Sequence, residues 1–196
     1  MAASSLLYGQ QRANFRANVR DKNFEVGGFA GGQLFTDFPF RPMGGGNVTY
    51  AIQKSVLIYG EGSYFPGLEK KIATPSMPLF EDRAKRSLLD YNFGVHLRKR
   101  LPNSNIVPYV VAGVGGIHSP RSEQFAVEKR NGNRVTGFTP TTLPAQDKFA
   151  LNYGAGLRWY FSENVGVRVE LKGYRSSLKN FENFGRLTFA VFWQSR

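Results

Sequence analysis

The sequence predicts an all-β chain, an eight-stranded antiparallel up-and-down transmembrane β-barrel. Three observations lead there. Near the C-terminus, Phe149, Leu151, Tyr153, Ala155, Leu157 and Trp159 alternate with Ala150, Asn152, Gly154, Gly156, Arg158 and Tyr160. After Ser162-Glu163-Asn164, the residues Val165, Val167, Val169 and Leu171 alternate with Gly166, Arg168, Glu170 and Lys172. Successive side chains of a strand point to opposite faces, so each segment has one greasy face and one polar or tiny face. The greasy face of the first segment ends in Trp159, an aromatic suited to a membrane interface. The third observation is length: segments of roughly ten alternating residues are what a membrane-spanning strand needs.

The other strands follow the same rule in chain order. Phe24 to Phe35 places Val26, Gly28, Ala30 and Leu34 opposite Glu25, Gly27, Gly31 and Gln33. A second segment runs from Met43 to Ile52 and a third from Val56 to Phe65. The fourth, Leu89 to Arg98, alternates Leu89, Tyr91, Phe93, Val95 and Leu97 with Asp90, Asn92, Gly94, His96 and Arg98. The fifth is Val107 to Ile117, and the sixth and seventh are the pair above. The eighth, Arg186 to Trp193, sets Leu187, Phe189, Val191 and Trp193 against Arg186, Thr188 and Ala190.

Connections alternate in length. Gln53-Lys54-Ser55, Lys99 to Ile106 and Ser162-Glu163-Asn164 are short, whereas Pro66 to Leu88 and His118 to Lys148 are long. Tight turns on one side and long loops on the other are expected of a barrel in a bacterial outer membrane, with both termini on the periplasmic side. The offset of Glu61 and Glu170 from their preceding turns is the same, an echo of repeated hairpin geometry. Residues 1–22 read as an N-terminal extension and 23–196 as the barrel. Met1 to Gln11 has the character of the end of a secretory signal without its basic start; a polar tail is the alternative.

Composition narrows the chemistry. The 196 residues contain no Cys, so disulfides and thiolate metal sites are excluded. His96 and His118 are the only imidazoles, too few for an all-histidine metal site; no cofactor is expected. There are 26 bases and 14 acids, a net charge of +12, which favours anionic partners. The bases fall mainly in predicted tail, loops and turns: Lys70, Lys71, Arg83, Lys85, Arg86, Lys129, Arg130 and Arg134 among them. No recognition helix or nucleotide-stacking platform accompanies them, so nucleic acid is not an expected partner. Membrane lipid and phosphorylated saccharide of the outer leaflet are, with a surface partner at the long loops as a further possibility. Glu69, Glu81, Asp82 and Glu128 dilute the local field, and solvated loop charge is the plainer reading. Gly44-Gly45-Gly46 lacks the Lys-Ser/Thr of a phosphate loop and reads as room for bending and close packing.

Two stretches carry a family resemblance. Tyr160-Phe-Ser-Glu-Asn-Val165 with Arg168-Val-Glu-Leu-Lys-Gly-Tyr174 resembles the small outer-membrane β-barrels, the family of the OmpA transmembrane domain, OmpX and the opacity proteins. Pro108-Tyr109 with Ala112-Gly-Val-Gly-Gly116 is similar to a mid-barrel strand of that family, and the strand layout matches from Phe24 to Trp193. Arg186-x-Thr188-x-x-Val191-x-Trp193 resembles the family's assembly signal, although Gln194-Ser195-Arg196 follows where an aromatic residue usually ends the chain. The resemblance implies the barrel and its membrane, and leaves activity open.

The candidate site is the polar face. Glu25, Glu61, Asp90, Arg98, Arg158, Arg168, Glu170 and Lys172, with Arg186, mix both signs inside a barrel narrow enough for side chains to fill. Unpaired buried charge is costly, so they are expected to form a paired network that plugs the lumen, in a structural or surface-interaction protein. The alternatives are a narrow channel, a lipid-modifying enzyme and a soluble lipid-binding barrel with its apolar faces inward. His96 faces inward in this register, and alternation turns His118 and Ser119 to opposite faces, so no catalytic residue is assigned.

Overall fold

The computed structural model describes residues 17, 19–34, 41–72, 80–128, 141–176 and 184–195, with residues 68–72, 80–86, 124, 127, 128 and 176 described by their backbone. Among the described residues ten strands form one antiparallel sheet. They are β1 (Phe24–Leu34), β2 (Arg41–Gln53), β3 (Val56–Ile72), β4 (Phe80–Arg98), β5 (Ile106–Ser119), β6 (Ser122–Glu128), β7 (Thr141–Leu143), β8 (Gln146–Tyr160), β9 (Val165–Ser176) and β10 (Phe184–Gln194). Eight of them close on themselves in the order β3-β2-β1-β10-β9-β8-β5-β4, with β4 pairing back to β3. Closure removes bare strand edges, which an open sheet could not hide in lipid.

The eight barrel strands coincide with the eight the sequence predicts, but several run further. β3 continues past Phe65 to Ile72, after a register shift between Phe65 and Leu68, and β4 begins at Phe80. The backbone of Lys70, Lys71, Arg83, Lys85 and Arg86 therefore lies in a strand extension, not in a loop. The predicted loop from His118 to Lys148 holds β6 and β7, and β6 pairs with the extension of β4. Lys129, Arg130 and Arg134 lie outside the described residues, as do residues 1–16 with the predicted signal remnant.

The short turns are built locally. Lys54 and Ser55 link Gln53 to Val56, which pair across a two-residue hairpin. Ser162 Oγ accepts from the backbone N–H of Asn164 (3.3 Å) and Val165 (3.0 Å), closing the turn from β8 to β9. Asn103 takes φ 52° in the turn between β4 and β5, a left-handed conformation Asn tolerates. The start of β1 and the end of β10 meet at this turn end of the barrel: Ser195 N–H donates to the Phe24 carbonyl at 2.8 Å.

Candidate functional site

The barrel is inverted relative to a water-soluble protein. Phe24, Val48, Ile58, Phe93, Val110, Leu151, Leu157, Val169, Leu171, Phe189 and Val191 all lie exposed on its outer wall, Phe93 at 62%. Trp159 and Trp193 sit on that wall toward the turn end, about half exposed. The inner wall carries the charge: Arg158 is 0% exposed, and Glu25, Asp90, Glu170, Lys172 and Arg186 are nearly as deep. A soluble lipid-binding barrel requires the reverse arrangement. An outward apolar belt and a polar interior are what hydrocarbon demands of a strand protein.

Inside, the sequence-predicted residues fall into three layers. Nearest the turns, Glu25 on β1 accepts from Arg98 on β4 (3.0 Å) and from Arg158 on β8. Arg98 also donates to the backbone carbonyls of Arg20 (2.6 Å) and Lys54 (2.7 Å), tying the turn end to the network. In the middle layer Glu170 accepts from the Tyr109 hydroxyl at 2.6 Å, and Lys172 Nζ lies 3.0 Å from it. His96 stacks on Tyr59 with ring centroids 4.5 Å apart, and its Nδ1 accepts from Arg158 at 3.0 Å. Toward the loops, Glu61 takes Lys172 at 2.8 Å and Arg186 at 2.5 Å, while Arg186 reaches Asp90 at 2.9 Å.

Two of these contacts cross the whole bore. β3 and β9 are four places apart in the ring of eight, as are β4 and β10. Glu61–Lys172 and Asp90–Arg186 thus join diametrically opposite walls. Arg168 is brought to the same space but takes a different partner: it donates to Asn47 Oδ1 at 3.2 Å.

Long arms fit because the facing positions are small. A Cβ at Gly94 would meet the Tyr59 ring at 2.8 Å, and one at Gly156 would meet the Tyr109 hydroxyl at 2.5 Å. Apolar side chains cluster toward both ends of the bore. Ala17 and Val19 pack with Val107, Tyr160 and Phe192 at the turn end. Phe29, Met43, Phe65, Leu88, Ile117, Tyr174 and Phe184 fill the loop end.

Sequence reasoning did not find the neutral members of the network. Tyr59 donates to Asn152 (2.7 Å), Asn152 to Asn92 (3.0 Å), and Asn92 to Asp90 (2.6 Å), forming a polar chain from mid-bore to the loop layer. Their inward parity was visible for Asn92 and Asn152; the tyrosines look like outer-wall aromatics in sequence. Nor did it find Ala17 and Val19, which lie in the segment read as an extension.

The two histidines are far apart in environment. His96 is buried in the bore, as its parity predicts. His118 sits at the loop-end rim with Nδ1 2.7 Å from Asp147 Oδ1, a carboxylate the sequence reading did not pair with it. Ser119 is buried, and its hydroxyl donates to the Ser87 carbonyl at 3.5 Å.

An apolar belt outside, a charged interior and a closed ring of eight strands define a transmembrane β-barrel. Its fold is that of the small outer-membrane barrels. The chain is similar to the N-terminal β-barrel domain of Pseudomonas aeruginosa OprF, with 18% identity and a TM-score of 0.52 over 89% of this chain and 98% of that one. It is similar to the outer membrane protein OprG from the same organism, with 12% identity and a TM-score of 0.59 over 90% and 97%. It is also similar to Ail, the attachment invasion locus protein of Yersinia pestis, in complex with the heparin analogue sucrose octasulfate: 13% identity, TM-score 0.54, 90% and 100% covered. No family model matches the sequence, and no curated protein matches it either.

Proposed function

We propose that the chain is a bacterial outer-membrane barrel with a plugged lumen and a structural or surface-interaction role. The pair of diametric contacts, Glu61–Lys172 and Asp90–Arg186, carries this reading. Opposite walls tied across the axis, with apolar residues clustered toward both mouths, support a bore closed to solutes. The filled bore of an eight-stranded barrel supports it in general terms. The interior charges serve as structure: they satisfy one another where lipid surrounds the wall. The protein works at its outer surface and not by catalysis.

The partner we assign to the loop end is phosphorylated saccharide of the outer leaflet. The sequence places Lys70, Lys71, Arg83, Lys85, Arg86, Lys129 and Arg130 at that end. A barrel of the same fold, Ail, has been captured with the polyanionic saccharide analogue sucrose octasulfate, which supports the chemistry for a surface of this kind.

The test is single-channel recording on the barrel reconstituted in planar bilayers, together with extraction of membranes with and without detergent. Extraction only in detergent, and a current at the bilayer leak level, are expected. Stepwise conductance in the unaltered protein would replace the plug with a narrow channel.

A further inference from the structure

The lumen does not balance its own charge. Among the described residues, the deeply buried cations are Arg98, Arg158, Arg168, Lys172 and Arg186. The buried carboxylates are Glu25, Glu61, Asp90 and Glu170, one fewer. Four of the cations sit within ion-pair distance of a carboxylate. Arg168 is the fifth. It is 3% exposed, its described polar contact is the neutral amide oxygen of Asn47, and its Nε has no hydrogen-bond acceptor. The nearest acid along its own strand, Glu170, attracts Arg168 without pairing with it, and is shared with Lys172 and Tyr109.

The neighbouring strand worsens the imbalance. Arg158 and Arg168 occupy directly opposed positions of β8 and β9, both facing inward. Like charges facing each other across a strand pair are destabilising, and here no solvent screens them. Arg158 Nε also lacks an acceptor. Two unsatisfied guanidinium donors thus leave adjacent strands at one level, next to an uncompensated positive charge. A water could accept from them, but it would not neutralise the charge.

We infer that the lumen holds one small inorganic anion, of the chloride class, bound against Arg168 with Arg158 beside it. With apolar clusters toward both mouths, the ion is a component taken up as the barrel closes. The site rests on the interior geometry alone and stands whichever surface role the protein has.

The experiment uses bromide as the probe. The full chain is refolded in detergent micelles in sodium bromide, crystallised from it, and mapped by anomalous scattering at the bromine edge. Urea midpoints are measured in parallel after refolding into lipid vesicles in bromide and in gluconate at equal ionic strength, for the unaltered chain and for Arg168→Gln. One anomalous peak within the bore at Arg168 is expected. A midpoint higher in bromide than in gluconate is expected too, with the difference lost in Arg168→Gln. A bore without bromide, bromide found only at the rims, or a midpoint difference that survives in Arg168→Gln would overturn the inference. If Arg168→Gln does not fold, the map and the two midpoints of the unaltered chain decide it.

Discussion

Lys172 Nζ lies 2.8 Å from Glu61 Oε1, joining β9 to β3 across the full width of the barrel. The same carboxylate accepts from Arg186, so one acid serves two bases from adjoining strands. Removing it takes one carboxylate from each buried cation, leaving Lys172 to Glu170 and Arg186 to Asp90, with one more uncompensated positive charge in the bore. Glu61→Gln is therefore expected to destabilise the fold by about 3–5 kcal/mol, the usual result of breaking a buried pair. Adding Lys172→Met should restore part of that loss, because the excess buried positive charge is gone. Urea titrations in lipid vesicles measure both, and equal stability of the single and double variants would show that the pair is not coupled.

The outer wall makes a prediction of opposite sign to that of a soluble protein. Leu151 and Val169 face outward, whereas Asn152 faces the bore. Leu151→Arg or Val169→Arg is expected to cost about 2–4 kcal/mol if the position is near the bilayer midplane. Asn152→Ala should be milder, removing its bonds to Tyr59 and Asn92 and leaving neutral partners behind. Folding equilibria measured in lipid give the ranking; the reverse order would exchange inside for outside.

Gly94 and Gly113 lie under Tyr59, and a Cβ at Gly113 would come within 2.6 Å of its hydroxyl. Gly113→Val should push that ring aside, break its bond to Asn152 and lower stability by about 1–3 kcal/mol, the ordinary cost of overpacking. Gly62, with nothing near its Cβ position, is the control: Gly62→Ala should be nearly neutral. Parallel unfolding curves for the two variants check this.

His118→Ala and His96→Ala are expected to leave hydrolysis of labelled outer-membrane lipid unchanged at background. His118 has a carboxylate at its Nδ1, yet Ser119 is buried and hydrogen-bonded to a backbone carbonyl. His96 has no path to lipid from the bore. Mass analysis of the lipid after incubation tests it, and deacylation that vanishes in either variant would make that histidine a base.

The alternation of strands was legible in the sequence because its period of two is imposed residue by residue. Leu89, Tyr91, Phe93 and Val95 could only share a face, and the structure exposes all four. Strand ends were less legible. Beyond Phe65 and before Leu89, charged residues and prolines break up the pattern, so no apolar alternation marks the extensions of β3 and β4. The ion partners were not legible at all. Which acid meets Arg186 depends on the order of strands around the ring and on their stagger, and neither is written in any one segment. Tyrosine was ambiguous for another reason: Tyr91 and Tyr153 face outward while Tyr59 and Tyr109 hold the interior, glycines lie against both pairs, and only their parity in the strand distinguishes them.

The pairing of β1 with β10 runs from Glu25–Gln194 to Leu34–Gly185. That ladder has the same form as the ladders between neighbours in the chain, and Ser195 bonds to Phe24 at its end. The molecule is therefore a cylinder on which the start and finish are a nick and not a boundary. Joining residue 195 to residue 23 through a short linker, and opening the chain instead at Lys54-Ser55, should yield a permuted protein with the same cylinder. Until the final strand is made, however, every growing chain is a ribbon with two bare margins. It can neither shed those margins nor enclose its charges, so keeping it from its neighbours is the task of whatever carries it to the membrane.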